Sequence, residues 1–383
     1  METIYLHFTD GVENHNKDYI MIPHKGYFIA EYGRTGARRM SKKYPMSSWD
    51  KILRQKLSKG YKIRENFVAG KTESKAVFKN DSKIVVKWLE FLLSCSKQFI
   101  SRNYQIDASN VSDKEIKEVS MLLDKLEGCL VSEFNQTLIQ AFDIIPRKMR
   151  NVKDFLATKE SDFDKIIRRE RKYLESLENS SKVINDSARG EDILKGIKIR
   201  EANKEEEEQC KKHLRGSSSL FKRAFVIENE VQEQIYQEWK TSHDAKEVYL
   251  YHGSRTENIL SLIRSGGPTL DIKGAKTTGK MFGFGKYFAP DAGKSLGYTS
   301  LIGSRWAKGG SDKGYLLVVK VAYTNALHVN KWESWCSNLT PSEMKRKGYD
   351  LLFAHKGQSL LRDEEIVYDD RQTSIAYVIE MSR

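Results

Sequence analysis

The chain has 383 residues, 39% of them hydrophobic and 31% charged, with a net charge of +13 and a pI near 9.3. That leaves room for two or three domains with ordinary cores. No apolar run approaches the roughly 20 residues that span a bilayer, and the start, METIYLHFTDG, lacks the basic-then-apolar order of a secretory leader. Cys95, Cys129, Cys210 and Cys336 stand singly, without CxxC spacing, which excludes a zinc-finger module or disulfide framework and reads as plain thiols in a reducing compartment.

In chain order, residues 1–80 begin with β-rich patches, Ile4 to Phe8, Tyr19 to Ile22 and Tyr27 to Tyr32, separated by Gly, Asn and Asp turn signals. They predict a small antiparallel sheet. A helix is expected from Ser48 to Leu57, with Gly60 as its stop. The basic residues concentrate here: Arg34, Arg38, Arg39, Lys42, Lys43, Lys51, Arg54, Lys56, Lys59, Lys62 and Arg64 stand against the single acid Asp50, interleaved with Tyr32, Tyr44, Trp49 and Tyr61. Cations suit phosphates and flat rings suit bases and sugars, so this mixture fits a nucleic-acid surface. A sheet with core aromatics and a solvated basic rim is the plainer reading.

Residues 82–200 change to helical spacing. Val85, Val86, Trp88, Leu89, Leu92 and Leu93 form one stripe, and Ser112-Asp113-Lys114-Glu115 is a capping box ahead of a second helix. A third helix runs through Leu138 to Ile144 and stops at Pro146; a fourth covers about 161–178. The pattern predicts an all-α bundle, and core packing accounts for each of these residues. From about Arg200 to Arg215 the chain is charged and polar, either a solvated helix or a mobile linker, and reads as a domain boundary.

Residues 217–383 carry short strand-like runs at 221–227, 248–251, 315–321, 366–368 and 375–379, with one helix from Glu257 to Ser265. Few helices among mixed strands predict an α+β segment, so the whole chain reads as multidomain α+β. Gly283 and Gly285 suggest a dinucleotide loop, but Phe288 stands where the third Gly of GxGxxG belongs. His252-Gly253-Ser254 alone is weak, since such a triplet arises by chance in roughly one chain of this length in twenty. Tyr287 and Phe288 alone read as strand core, and Glu364 beside Glu365 as a solvated pair.

The conjunction is more specific than its parts. In order, HGS at 252–254, MFGFGKYFA at 281–289, KSLGY at 294–298 and EIVYD at 365–369 resemble the catalytic signature of the poly(ADP-ribose) polymerases. Upstream, Tyr32-Gly33-Arg34-Thr35-Gly36 with Lys59-Gly60-Tyr61 is similar to the WGR domain of that family, and the helical stretch with Phe142-Asp143-Ile144-Ile145-Pro146 resembles its regulatory helical domain. The resemblance implies three domains: WGR-like over 1–80, regulatory helical over 82–200, and a split-sheet ADP-ribosyltransferase fold over 217–383. It implies that NAD is a substrate to be cleaved and that no metal is needed.

The resemblance assigns His252, Tyr287 and Glu364 as the catalytic set. His252 and Ser254 bond the adenosine ribose, Gly253 pairs with the nicotinamide amide through its backbone, and Ser295 supplies a hydroxyl to that amide. Tyr287 and Tyr298 stack on nicotinamide, and Glu364 holds its ribose and polarises the acceptor. Tyr32, Arg34, Arg38, Arg39, Lys42 and Lys43 become the nucleic-acid contacts. Implied partners are 5′-phosphorylated DNA ends or nicks and protein acceptors including the chain itself, with no membrane, for a monomer that is nuclear in a eukaryote and cytoplasmic otherwise. Mono-ADP-ribosylation of protein or nucleic-acid ends, and a DNA-end-binding protein with a silent transferase domain, are the alternatives. Four positions depart from the family pattern: Tyr32 replaces the name-giving Trp, Lys280 and Lys286 add charge around the glycine loop, and Glu365 follows Glu364.

Overall fold

The computed structural model describes residues 1–64, 78–106, 111–126, 129–188, 192–268, 281–304 and 307–383. The chain divides into two compact units, Met1–Ser74 with Lys97–Ala188, and Lys75–Ser96 with Arg189–Arg383.

The first unit opens with β1 (Ile4–Asp10), β2 (His15–His24), β3 (Tyr27–Arg34), β4 (Met40–Pro45), helix α1 (Trp49–Ser58) and β5 (Lys62–Arg64). The five strands form one antiparallel sheet in the order β4-β3-β2-β1-β5. Lys25-Gly26 makes the two-residue turn between His24 and Tyr27, and Gly26 takes the positive φ that such a turn needs. Leu6, Tyr19, Met21, Phe28 and Ala30 alternate onto one face and bury against Trp49 of α1. Beneath the sheet a buried polar chain links His7, Asp18, Thr9 and Thr35, with His7 Nδ1 2.9 Å from Asp18 Oδ1 and Thr35 Oγ1 donating to that oxygen at 2.9 Å.

Helix α2 (Lys83–Asn103) contributes its residues from Lys97 to this unit and its earlier residues to the second. Helices α3 (Asp113–Asp124), α4 (Val131–Ile144) and α5 (Phe163–Ala188) pack around Val119, Leu123, Phe134, Leu138, Phe142, Ile167 and Leu177. The expected capping box is present: Glu115 N donates to Ser112 Oγ at 3.2 Å and Ser112 N to Glu115 Oε2 at 3.0 Å. Arg147 and Glu170 form a buried ion pair inside this cluster.

The second unit contains β6 (Ile197–Glu201), α6 (Lys204–Leu214), β7 (Phe221–Asn229), α7 (Glu230–Ser242), β8 (Lys246–Ser254), α8 (Ile259–Arg264), β9 (Lys286–Phe288), α9 (Ala292–Leu296), β10 (Gly303–Ser304), β11 (Ala307–Lys308), β12 (Lys313–Tyr323), β13 (Ala326–Val329), α10 (Pro341–Arg346), β14 (Leu351–Ala354), β15 (Glu364–Val367) and β16 (Thr373–Ser382). One sheet runs β6-β7-β16-β12-β8 and a second runs β13-β14-β15-β9. An isolated bridge between Tyr251 and Ala289, with both N–H···O bonds at 2.9 Å, stitches the edge of the first sheet to the end of β9.

Three expectations change. The stripe from Val85 to Leu93 belongs with this sheet, because Trp88 stacks on Phe225 at 3.8 Å. Of the two readings of Arg200 to Arg215 the largely solvated helix holds, and linker and boundary do not: Glu201 ends β6, Asn203 and Glu206 cap α6 reciprocally, and Cys210 and Leu214 bury in the sheet's core. A helix was also missed. Asn229 caps α7, and Tyr236 and Trp239, three apart on one face, are buried.

Candidate active site

The motif residues of the second unit gather where its two sheets meet. In β8 the backbone of Tyr251 is spent on Ala289, on the edge away from β12. Strand residues two apart point their N–H and C=O to the same edge, so Gly253 presents both groups there too. That is the donor and acceptor pair a carboxamide needs. The position admits no side chain: a Cβ on Gly253 would lie 1.8 Å from the carbonyl oxygen of Ser295. Ser295, on α9, is buried and donates its hydroxyl to Tyr251 O at 2.9 Å, which leaves its oxygen to act as an acceptor. Ser254, also buried, accepts from Asn258 Nδ2 at 3.1 Å and keeps its own proton to donate.

His252 Nδ1 donates to the carbonyl of Tyr287 at 3.0 Å, fixing the ring's tautomer and orientation. Tyr287 lies on β9 opposite Ile366 of β15. Its hydroxyl accepts from Phe282 N and donates to Gly283 O, both at 3.0 Å, tying the glycine turn to the strand. Gly283 has φ +73°, and a Cβ there would lie 2.1 Å from Leu339 O, so this turn too admits only glycine. Tyr298 is 43% exposed, the most open of the motif residues.

Glu364 begins β15 and pairs through Oε1 with Lys294 Nζ at 2.6 Å. Lys294 also donates to Arg362 O at 3.0 Å. Burial pulls the Lys294 ammonium below its usual pKa, and the Glu364 carboxylate opposes that fall. Lys294 opens the KSLGY motif, and the sequence assigned it no role; its place one residue ahead of Ser295 was the available signal.

Strand alternation separates the departures from the motif residues. Tyr287, Ile366 and Glu364 share one face of the second sheet, while Lys286, Phe288, Glu365 and Val367 share the other. Lys286 is buried, bonded to Asp370 at 2.7 Å and Thr373 at 3.0 Å. Burial lowers its pKa, with Asp370 opposing. Glu365 is buried as well; burial, then the nearby Asp363 charge, pushes its carboxyl up to about 7. Neither therefore adds charge on the face of Tyr287 and Glu364. Lys280 lies outside the described residues.

The candidate nucleic-acid residues of the first unit are brought to one end of β3 and onto the edge strand β4, in unequal states. Tyr32 is half-buried and stacks on Tyr19 at 5.8 Å. Arg34 donates to Met149 O at 3.1 Å, Asn14 O at 2.9 Å and Asn14 Oδ1 at 3.0 Å. Arg39 leans on Asp18 and Glu31 at 3.6 and 3.8 Å. Arg38, Lys42 and Lys43 are exposed, with the two lysines over the rings of Tyr44 and Tyr27. Among the described residues, no three His, Cys, Asp or Glu side chains converge as metal ligands, and no helix is long and apolar enough to cross a membrane.

The model of the poly(ADP-ribose) polymerase catalytic domain matches residues 198–383, which takes in α6 and all but the first residue of β6. Among curated proteins, the chain is 28% identical over 156 residues to the uncharacterised protein 101L of invertebrate iridescent virus 6, covering 39% of this chain and 66% of that one. It is 24% identical over 139 residues to the poly(ADP-ribose) polymerase-like protein 100L of the same virus, covering 35% of this chain and 70% of that one. It is 31% identical over 179 residues to poly(ADP-ribose) polymerase 1 of Xenopus laevis, covering 41% of this chain but 17% of the frog protein. The chain thus spans about two thirds of the viral relatives and under a third of the animal and plant ones.

Proposed function

We propose that this chain cleaves NAD and transfers its ADP-ribose to protein acceptors, itself included, as the match of residues 198–383 to the poly(ADP-ribose) polymerase catalytic domain supports. The observation that carries the reading is the outward edge of Gly253, packed against Ser295 and flanked by His252 and Tyr287. A nicotinamide carboxamide fits this cradle, accepting from Gly253 N–H and donating to Gly253 O and Ser295 Oγ. The flat pyridine then needs rings beside it, which Tyr287 and Tyr298 supply. His252 and Ser254 supply polar groups for the adenosine ribose.

Cleavage of the bond between nicotinamide and ribose leaves positive charge on the sugar, as in glycoside hydrolysis. A carboxylate fixed beside that sugar stabilises the charge as it develops. Glu364 takes this role, accepting a ribose hydroxyl and then the proton of the incoming acceptor. Its pairing with Lys294 at 2.6 Å holds it in place.

The finer reading is a DNA-break-dependent polymerase, with 5′-phosphorylated ends or nicks bound through Arg38, Lys42 and Lys43 of the WGR-like sheet and the helical segment acting as regulator. In a eukaryotic cell the nucleus is the compartment that fits. The basic, aromatic-lined edge at β4 supports the DNA partner, and the complete His-Tyr-Glu set supports chain extension. Labelled NAD, incubated with and without nicked 5′-phosphorylated DNA and resolved on a gel, tests both. A ladder dependent on DNA is the expected result. A single-unit product limits the activity to mono-modification, and equal product without DNA removes the sensor role. No product in either lane overturns the transferase reading.

A further inference from the structure

Residues 331–347 carry a feature that NAD cleavage leaves unused. Trp332 and Trp335 are 38% and 40% exposed, although indoles usually bury. Both are held by their ring N–H. Trp332 Nε1 donates to Met281 O at 2.7 Å, and Trp335 Nε1 to Glu333 Oε2 at 2.9 Å. The Trp332 backbone N–H is further fixed by Ser359 Oγ at 2.9 Å. Met281 opens the turn whose next residues are bound to the Tyr287 hydroxyl, so Trp332 stands at the rim of the candidate active site, three residues before Trp335.

Charge around them is one-sided. Lys331, Lys345, Arg346 and Lys347 are all exposed, against the two acids Glu333 and Glu343. Glu333 is engaged by Trp335, and Glu343 lies half-buried in the first turn of α10. Lys347 Nζ lies 6.0 Å from the centre of the Trp335 ring. Flat faces fixed in place, bordered by cations, are what successive bases and phosphates of an unpaired strand require. An acidic peptide would use the cations but leave the indole faces idle, whereas bases stack on them.

We propose that Trp332, Trp335 and the cations Lys331, Lys345, Arg346 and Lys347 form a docking surface for single-stranded nucleic acid beside the transferase site. It uses none of the residues of the first unit's basic edge and does not depend on NAD cleavage.

Binding of a fluorescein-labelled thymidine 12-mer to the full chain, without NAD, is the test. Trp335→Ala is expected to raise Kd about tenfold, the loss of one stacked base, and Trp335→Phe to recover most of it. Lys347→Ala should lower the slope of log K against log salt by about one. With 4-thiothymidine in the strand, irradiation should cross-link residues 331–347. An unchanged Kd for Trp335→Ala, or cross-links confined to residues 1–64, overturns the proposal. So does tighter binding of a poly-glutamate of equal length, which would assign the surface to acidic polypeptides. Should Trp335→Ala fail to fold, Trp335→Leu, which keeps apolar bulk without a flat ring or a charge, replaces it: retained affinity there overturns the stacking role.

Discussion

Two strand regions carry the residues on which the proposed function turns, and they use their side chains differently. At the end of β3, Arg34 spends three donors on Asn14 and Met149, and Tyr32 spends a face on Tyr19. Where the two sheets of the second unit meet, Gly253 keeps a backbone edge outward, and neighbouring atoms approach so closely that nothing larger than hydrogen fits. The first region is therefore a mixture of internal braces and exposed cations. The second is a rigid cradle, which is what a reaction needs from the groups that position its substrate.

The hardest test of that contrast is Gly253→Ala. Its methyl group would sit 1.8 Å from Ser295 O, a backbone atom of α9 that moves only with its helix. We expect a cost of more than about 4 kcal/mol, in the range of severe core strain, seen as a large fall in Tm and loss of NAD cleavage. Retention of both would mean that the close approach is not maintained in solution. Next in size, Glu364→Gln should preserve the fold and NAD binding while slowing transfer by about 100- to 1000-fold, the loss typical of one preorganised charge-stabilising group. Single-turnover release of nicotinamide measures it, and unchanged product length in this variant sinks the assignment of Glu364.

Glu365 sharpens the comparison within a single strand, because its carboxyl lies on the opposite face and is buried. Its pKa rises from 4.5 to about 7 in the folded protein. The folded state therefore holds a proton that the unfolded state releases, so stability is full below about pH 4.5 and falls as pH rises through about 7. A shift of this size corresponds to roughly 3 kcal/mol at 1.36 kcal/mol per unit. Glu365→Gln, which cannot ionise, should flatten the decline in Tm between pH 5 and pH 8 and raise Tm at pH 8. A parallel pair of pH profiles would show that Glu365 is hydrated rather than buried.

Much of the second unit was legible because its motifs record steric and hydrogen-bonding demands that few residues meet. Gly253 and Gly283 stand at such positions, and the strand runs through Val248 to Tyr251 and Tyr315 to Val321 alternate or run apolar as buried strands must. The charged run Lys204 to Lys212 misled because burial of Cys210 and Leu214 is carried by two residues on one helix face, too sparse for a periodic signal. Trp88 misled in another way: helical spacing predicts a helix but not the surface it covers, which here is Phe225. The Lys294–Glu364 pair joins residues seventy apart in sequence, and no local pattern marks it. Alternation alone sets Lys286 on the other face from Tyr287 and Glu365 on the other face from Glu364, but that Tyr287 and Glu364 share a face needed the register of β9 on β15, since a shift of one residue would have parted them.

The smallest effects separate braces from contacts in the first unit. Arg34→Ala removes three hydrogen bonds from a half-buried guanidinium and strands the Met149 carbonyl. A destabilisation of about 1–3 kcal/mol follows, whether or not DNA is present. Lys42→Ala and Lys43→Ala remove cations that stand exposed on the edge strand β4. They should leave stability within about 0.5 kcal/mol, while each lowers the salt slope of DNA binding by about one if it meets a phosphate. Denaturant titration and salt-dependent binding on the same three variants give the two readouts. If Arg34→Ala alters the salt slope without altering stability, the arginine faces phosphate, and the division between a self-consumed β3 and an open β4 is lost. If the lysine variants lose stability instead, their rings of contact, Tyr44 and Tyr27, matter more to the sheet than the exposed charge does to any partner.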